Sequence, residues 1–85
     1  MAHRVVLTKR AYRDLKQLTP AVYTRIIKRI EQLASEPRPP GVRKITDSAD
    51  RYRIRIGDYR VIYQVEDDRL LILVIRVRHR REVYR

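Results

Sequence analysis

The stretch HRVVLT (3–8) runs β-branched residues into a polar Thr8, which reads as a short strand ending where a helix cap is expected. From Lys9 the spacing turns helical. Ala11, Leu15 and Leu18 recur on one side, with Lys9, Arg13, Lys16 and Gln17 elsewhere, predicting a first helix of about three turns. Thr19 then precedes Pro20, a capping residue before proline at the first helical position, where the missing N–H costs nothing. Val22, Ile26, Ile30 and Leu33, joined by Ile27 and Ala34, form the apolar face of a second helix, while Arg25, Lys28, Arg29 and Gln32 point outward. SEPRPPG (35–41) ends that helix, because its prolines cannot continue it and favour a stiff, extended connection. VRKIT (42–46) predicts a short edge strand, followed by a polar turn at DSAD (47–50).

In DRYRIRIGDYRVIYQV (50–65), alternating strands flank Gly57–Asp58, a two-residue turn with glycine at its first central position. Such a turn fixes the register, so Ile56 faces Tyr59, Arg55 faces Arg60 and Arg53 faces Ile62. One face then carries Tyr52, Ile54, Ile56, Tyr59, Val61 and Tyr63 toward the helices, and the other carries Arg51, Arg53, Arg55 and Arg60. A second turn at Asp67–Asp68, whose acids together with Glu66 are expected to be solvated, leads into RLLILVIRVRH (69–79), apolar enough for a buried central strand. Were that turn also of two residues, Ile75, Val77 and His79 would join the arginine face. Tyr12 and Tyr23 are expected as core or rim aromatics. The fold class is therefore α+β: an N-terminal strand and an antiparallel helix pair packed on a small, mainly antiparallel twisted sheet, in a single domain over residues 1–85.

Composition narrows the function. With 44% hydrophobic residues in periodic runs, the chain can build a core, which argues against disorder. It has no cysteine, and two isolated histidines, His3 and His79, make no metal cluster, so neither a metal nor another cofactor is expected. The apolar run Leu70–Ile75 falls far short of the roughly 20 residues of a membrane span, and no basic-then-apolar leader opens the sequence. A cytoplasmic protein with no membrane role is expected. The net charge is +11, and 17 of the 21 basic residues are arginine. Guanidinium matches phosphate bidentately and stacks on bases, so this bias points to a nucleic-acid partner. A solvated surface and a site for an acidic protein are the plainer readings.

Arginine directly opposite arginine in a sheet destabilises it by up to about 1 kcal/mol. The Arg55–Arg60 pair is therefore either a chance product of a basic composition or an anion site whose counter-charge arrives with a phosphate. Proton transfer has two candidates. His79, with an unperturbed pKa of about 6.5, suits it, although a lone histidine at a strand end also suits a structural role. Tyr84 could donate a proton or stack on a base. The stripe Arg25, Lys28 and Arg29 is either a solvated face or an rRNA contact.

The segment YRIRIGDYRVIYQVEDDRLLILVIRVRHRREVYR (52–85), with the strand and helices before it, resembles the RelE toxins of bacterial and archaeal toxin–antitoxin systems, within the RelE/ParE superfamily. The strand of alternating basic residues, YRVIYQV and the closing HRREVYR carry the resemblance most specifically. It implies the fold given above and a ribosome-dependent mRNA endonuclease acting in the decoding site. There the ribose 2′-hydroxyl attacks the adjacent phosphate, leaving a cyclic phosphate and a free 5′-hydroxyl. By motif, Arg53 and Arg55 match the basic strand positions, Arg60 the arginine of the YR step, Arg80 the arginine after the last strand and Tyr84 the tyrosine of EVY. Arg51, Arg78 and Arg81 extend this surface as expected RNA contacts. Two positions depart from the pattern. Arginine stands at both strand positions where lysine is common, which disfavours a strand residue as general base, and Arg78 replaces a residue that is often small. The resemblance further implies a cognate acidic, RelB-like antitoxin, with ribosome and mRNA as targets and DNA reached only through the antitoxin complex. Two other functions fit the same composition: a ParE-like toxin that poisons DNA gyrase, and a non-catalytic nucleic-acid-binding module.

Overall fold

The computed structural model of the chain describes residues 2–45 and 50–83, the last two by backbone alone, so most of the turn expected at 47–50 and Tyr84 lie outside the described residues. In chain order the elements are β1 (Arg4–Leu7), α1 (Lys9–Lys16), α2 (Pro20–Leu33), β2 (Arg43–Lys44), β3 (Arg51–Ile56), β4 (Tyr59–Glu66), β5 (Leu71–His79) and a short α3 (Arg80–Val83) that the sequence pattern does not predict. The strands form one five-stranded sheet in the order β1-β5-β4-β3-β2. β1 runs parallel to β5, and every other pairing is antiparallel. The architecture is the expected α+β arrangement. No helix among the described residues is long and apolar enough to cross a membrane.

Both helices begin where the sequence places their caps. Thr8 Oγ1 accepts from Ala11 N at 3.1 Å and Thr19 Oγ1 from Val22 N at 3.4 Å, each satisfying an orphan donor of the first turn. Leu15, Ile26, Ile30 and Leu33 pack into one core with Val61, Tyr63, Ile72 and Val74 from the sheet. α1 stops at Lys16, a turn short of expectation, yet Leu18 still packs on the core. Tyr12 and Tyr23 lie at the rim, 53% and 43% exposed. Of the edge strand expected at 42–46, Arg43–Lys44 are strand among the described residues, and Thr46 lies outside them.

The β3–β4 hairpin has the predicted register, with Arg55 opposite Arg60 and Arg53 opposite Ile62. The β4–β5 pair does not. Its connection is a single 3-10 turn over Asp67–Arg69 closed by Leu70 in the left-handed region (φ +50°). A loop longer by two residues would leave the faces unchanged, because side chains alternate with a period of two. A bulge changes them: Tyr63 pairs with Val74, but Ile62 pairs with Arg76, leaving Ile75 as the extra residue. Beyond it Arg78 faces Arg60, while Val77 faces Val61 and is 4% exposed. The expectation that Ile75, Val77 and His79 would lie on the arginine face is thus corrected. His79 pairs with Tyr59 and packs edge-on against its ring, 5.2 Å between centroids.

The bulge sits where β1 runs out. β1 pairing ends at Leu7–Val74, and the start of α1 takes over the exposed edge of β5. Thr8 N donates to Val74 O (2.9 Å), Thr8 Oγ1 donates to the bulge carbonyl of Ile75 (2.8 Å), and Val77 N donates to Asp14 Oδ2 (2.9 Å). Asp14 also receives Arg76 Nε at 2.9 Å and Nη2 at 3.2 Å, a two-pronged ion pair.

At the opposite end, the proline-rich connection is tied to the sheet. Tyr63 donates its hydroxyl to Pro37 O (2.7 Å), and burial pushes this phenol up to about 12. Arg38 bridges Tyr52 Oη and Asp67, with Nη2 to Oδ2 at 2.9 Å, and His3 Nε2 meets Asp67 Oδ1 at 3.0 Å. Asp67 is therefore paired, not merely solvated as its turn position suggests. Its hydrogen bond with Arg38, then that with His3, holds its carboxyl below the ordinary range. A depressed carboxyl pKa adds stability that is present above the unfolded-state value and lost as pH falls through the folded-state value. Asp67→Asn is expected to melt slightly lower than the parent at neutral pH, with the gap closing as pH drops through that window. A gap independent of pH would assign the loss to something other than this carboxylate's charge.

Candidate nucleic-acid interface

Three arginine pairs stand directly opposite one another across neighbouring strands: Arg43 with Arg53, Arg55 with Arg60, and Arg60 with Arg78. Each such pair costs up to about 1 kcal/mol, so the fold carries a like-charge ladder across four of its strands. Two hollows open beside it. The larger, about 770 Å³, lies at the edge of β3 that short β2 leaves bare, and it collects Arg25 and Arg29 of α2, Arg43 of β2, and Arg53, Arg55 and Arg60 of the hairpin. The smaller, about 370 Å³, is walled by Arg55, Arg60, Arg80 and Arg81. Arg55 and Arg60 thus form the partition shared by both.

Hydrogen bonds to the turn carbonyls hold the walls in place. Arg80 N donates to Asp58 O at 2.7 Å, pinning the start of α3 to the β3–β4 turn, and Arg55 Nε donates to Gly57 O at 3.0 Å. Gly57 adopts φ +61°, and a Cβ there would sit 3.0 Å from Arg25 Nη1, so the bare glycine lets that guanidinium lie against the turn.

Of the residues singled out in the sequence, the structure brings together Arg53, Arg55, Arg60, Arg25 and Arg29 in the larger hollow, and Arg80 and Arg81 in the smaller. Lys28, Arg51 and Arg78 line neither hollow; Arg51 Nε reaches Gln64 Oε1 at 3.3 Å, and Arg78 flanks Arg60. His79 also lines neither, and its Nδ1 accepts from Arg81 N at 3.2 Å. Arg43 and Asp58, which line the larger hollow, were missed. Pairing the edge strand against β3 would have found Arg43, because it then faces Arg53.

Residues 5–84 match the family described as the ParE toxin of type II toxin–antitoxin systems, parDE. Toxin RelG of Mycobacterium tuberculosis is 30% identical over 86 residues, covering 100% of this chain and 99% of that protein. The mRNA interferase toxin RelE of Escherichia coli is 31% identical over 88 residues, covering 99% of this chain and 92% of that one. The chain belongs to the RelE/ParE superfamily as a RelE-type toxin. Its fold agrees with RelE in the RelE–RelB complex of Pyrococcus horikoshii, at a TM-score of 0.83 and 34% identity over 94% of this chain and 97% of that one.

In this RelE-type toxin the turn below the hollows is sensitive to side-chain size. Gly57→Ala places a Cβ in the left-handed region, at roughly 1 kcal/mol or more. A thermal midpoint lower by roughly 4–8 °C is expected by circular dichroism. An unchanged midpoint would show that the turn relaxes to another conformation.

Proposed function

We propose that this toxin is a ribosome-dependent mRNA endonuclease, cutting the messenger in the decoding site by attack of a ribose 2′-hydroxyl on the adjacent phosphate. The observation that carries the reading is the Arg55–Arg60 partition between two arginine-lined hollows, a juxtaposition of like charges to which a phosphate is complementary. In the proposed step the O2′–P bond forms as the P–O5′ bond breaks. Arg55 and Arg60, with Arg53 and Arg80 on either side, neutralise the charge that gathers on the non-bridging oxygens. The 2′-hydroxyl loses a proton and the 5′-oxygen gains one. Arginine, protonated at every working pH, does not serve as the base. Tyr84, by resemblance, is assigned the proton donated to the 5′-oxygen. His79, which packs on Tyr59 and accepts from Arg81 N, is assigned the positioning of Arg81.

The antitoxin is proposed to be an acidic, partly disordered RelB-like segment that folds on the +11 surface, a reading supported by the RelB-bound RelE relatives. Because no residue of the chain is assigned the proton lost by the 2′-hydroxyl, the ribosome is proposed to complete the site by accepting it. Primer extension on messenger RNA bound to purified ribosomes should map discrete cuts, while naked RNA is bound but hardly cut. Efficient cleavage of free RNA would recast the protein as a general ribonuclease, and no cleavage in either setting would sink the nuclease reading.

The ParE description of the matched family favours a second reading, a toxin that poisons DNA gyrase. Inhibition of gyrase supercoiling by the purified chain, with ribosomal cleavage absent, would support it.

A further inference from the structure

We propose that the larger hollow is a second phosphate subsite for single-stranded RNA, engaging a neighbouring backbone phosphate of the same strand whose scissile phosphate lies at the Arg55–Arg60 partition. The proposal rests on the ribonuclease reading and adds to it a strand path and a minimum substrate: RNA long enough to occupy both hollows at once.

Among the described residues, six guanidinium groups converge on the larger hollow against one carboxylate, Asp58. Three of them, Arg25, Arg43 and Arg53, make no ion pair or side-chain hydrogen bond among the described residues, so their donors remain available to a ligand. They also come from three separate elements. Arg25 rises from α2 against the bare Gly57, Arg43 reaches in from β2, and Arg53 stands opposite Arg43 on β3. β2 is short enough to leave the β3 edge open at Ile54, which is what makes the hollow. Its volume of about 770 Å³ falls within the range of ligand sites.

Phosphate is favoured over an acidic peptide on two grounds. The guanidinium fork matches two phosphate oxygens at once, and five-donor groups arriving from several directions suit a tetrahedral anion. A bound peptide also draws its affinity from apolar anchors, and Pro40 and Ile54 are the sole sizeable apolar residues in this lining. A single strand is favoured because Arg55 and Arg60 wall both hollows, so a backbone leaving one enters the other without a gap.

The test needs no ribosome. Binding of a short fluorescein-labelled RNA, made uncleavable by 2′-O-methyl groups, is followed by anisotropy across a salt series for the parent and for Arg25→Gln, Arg43→Gln and Lys28→Gln. Lys28 shares α2 with Arg25 and carries the same charge but does not line the hollow. Arg25→Gln and Arg43→Gln should each weaken binding at every salt concentration. Each should also flatten the plot of log K against log salt by about 0.7, the value for one phosphate contact to a single strand. Lys28→Gln should keep the parent slope. Thermal melts confirm that each surface variant is folded. Equal flattening by all three substitutions would reduce the effect to diffuse charge and overturn the subsite, as would parent-like slopes for Arg25→Gln and Arg43→Gln. Loss of affinity for a glutamate-rich peptide with RNA binding intact would assign the hollow to a protein ligand and equally overturn it. Failure of the nuclease reading is visible separately, as absent ribosomal cleavage by the parent, whatever the salt slopes show.

Discussion

Arg60→Ala is expected to lower cleavage of ribosome-bound messenger by on the order of 10²-fold or more, the usual consequence of deleting one charge-stabilising donor from a transition state. The same substitution should leave the thermal midpoint level or slightly raised. Arg60 faces Arg55 on one side and Arg78 on the other, so its removal relieves two like-charge contacts. Each is worth up to about 1 kcal/mol. In a domain of this size each kcal/mol moves the midpoint by roughly 4–8 °C, enough to offset the loss of the local contacts that Arg60 itself makes. An arginine retained for scaffolding predicts the opposite pair of results. Both measurements belong on one preparation: a variant that melts several degrees lower yet cuts at near the parent rate would remove Arg60 from the site.

Thr8→Val should produce the second large effect, this time on folding. One hydroxyl serves two partners, accepting from Ala11 N as the cap of α1 and donating to the carbonyl of the bulged Ile75. Valine keeps the shape and loses both. The missing cap costs about 1 kcal/mol, and a part-buried carbonyl left without its donor costs about 1 kcal/mol more. A midpoint lower by roughly 8–16 °C follows. Thr8→Ser, which keeps the hydroxyl, should recover most of it. If Thr8→Val melts within a degree or two of the parent, the bulge is held by strand pairing alone and the hydroxyl is incidental.

Much of this fold is legible from local chemistry. Thr8, Thr19 and Pro20 mark helix starts because capping is a property of a few adjacent residues, and Gly57–Asp58 fixes the hairpin because turn type dictates register. Arg53, Arg55 and Arg60 could therefore be gathered on one face from sequence alone. The error began past Ile62. Alternation is read by counting, and a single bulged residue shifts the count without altering composition or hydropathy, so Val77 and His79 were put on the wrong face. The turn acids misled for a related reason. Asp67 finds Arg38 and His3, which lie 29 and 64 positions away in sequence, and no local pattern announces partners so distant. Arg43 and Arg25 entered the hollow for the same reason: the edge-strand pairing and the approach of α2 to the turn are tertiary facts.

The order of the strands also fixes when the protein can become itself. β1 has its strand partner in β5, the strand furthest from it along the sequence, with Arg4 beside Leu71. β5 also supplies Ile72 and Val74 to the core, and its carbonyls at Val74 and Ile75 receive Thr8. A nascent chain that has delivered only the helices and the β3–β4 hairpin lacks the strand that joins the N-terminal segment to the sheet, and such long-range pairing is slow because loop closure precedes any gain. Assembly of the groove, whose smaller hollow needs Arg80 and Arg81 directly after β5, therefore waits until β5 has joined the sheet.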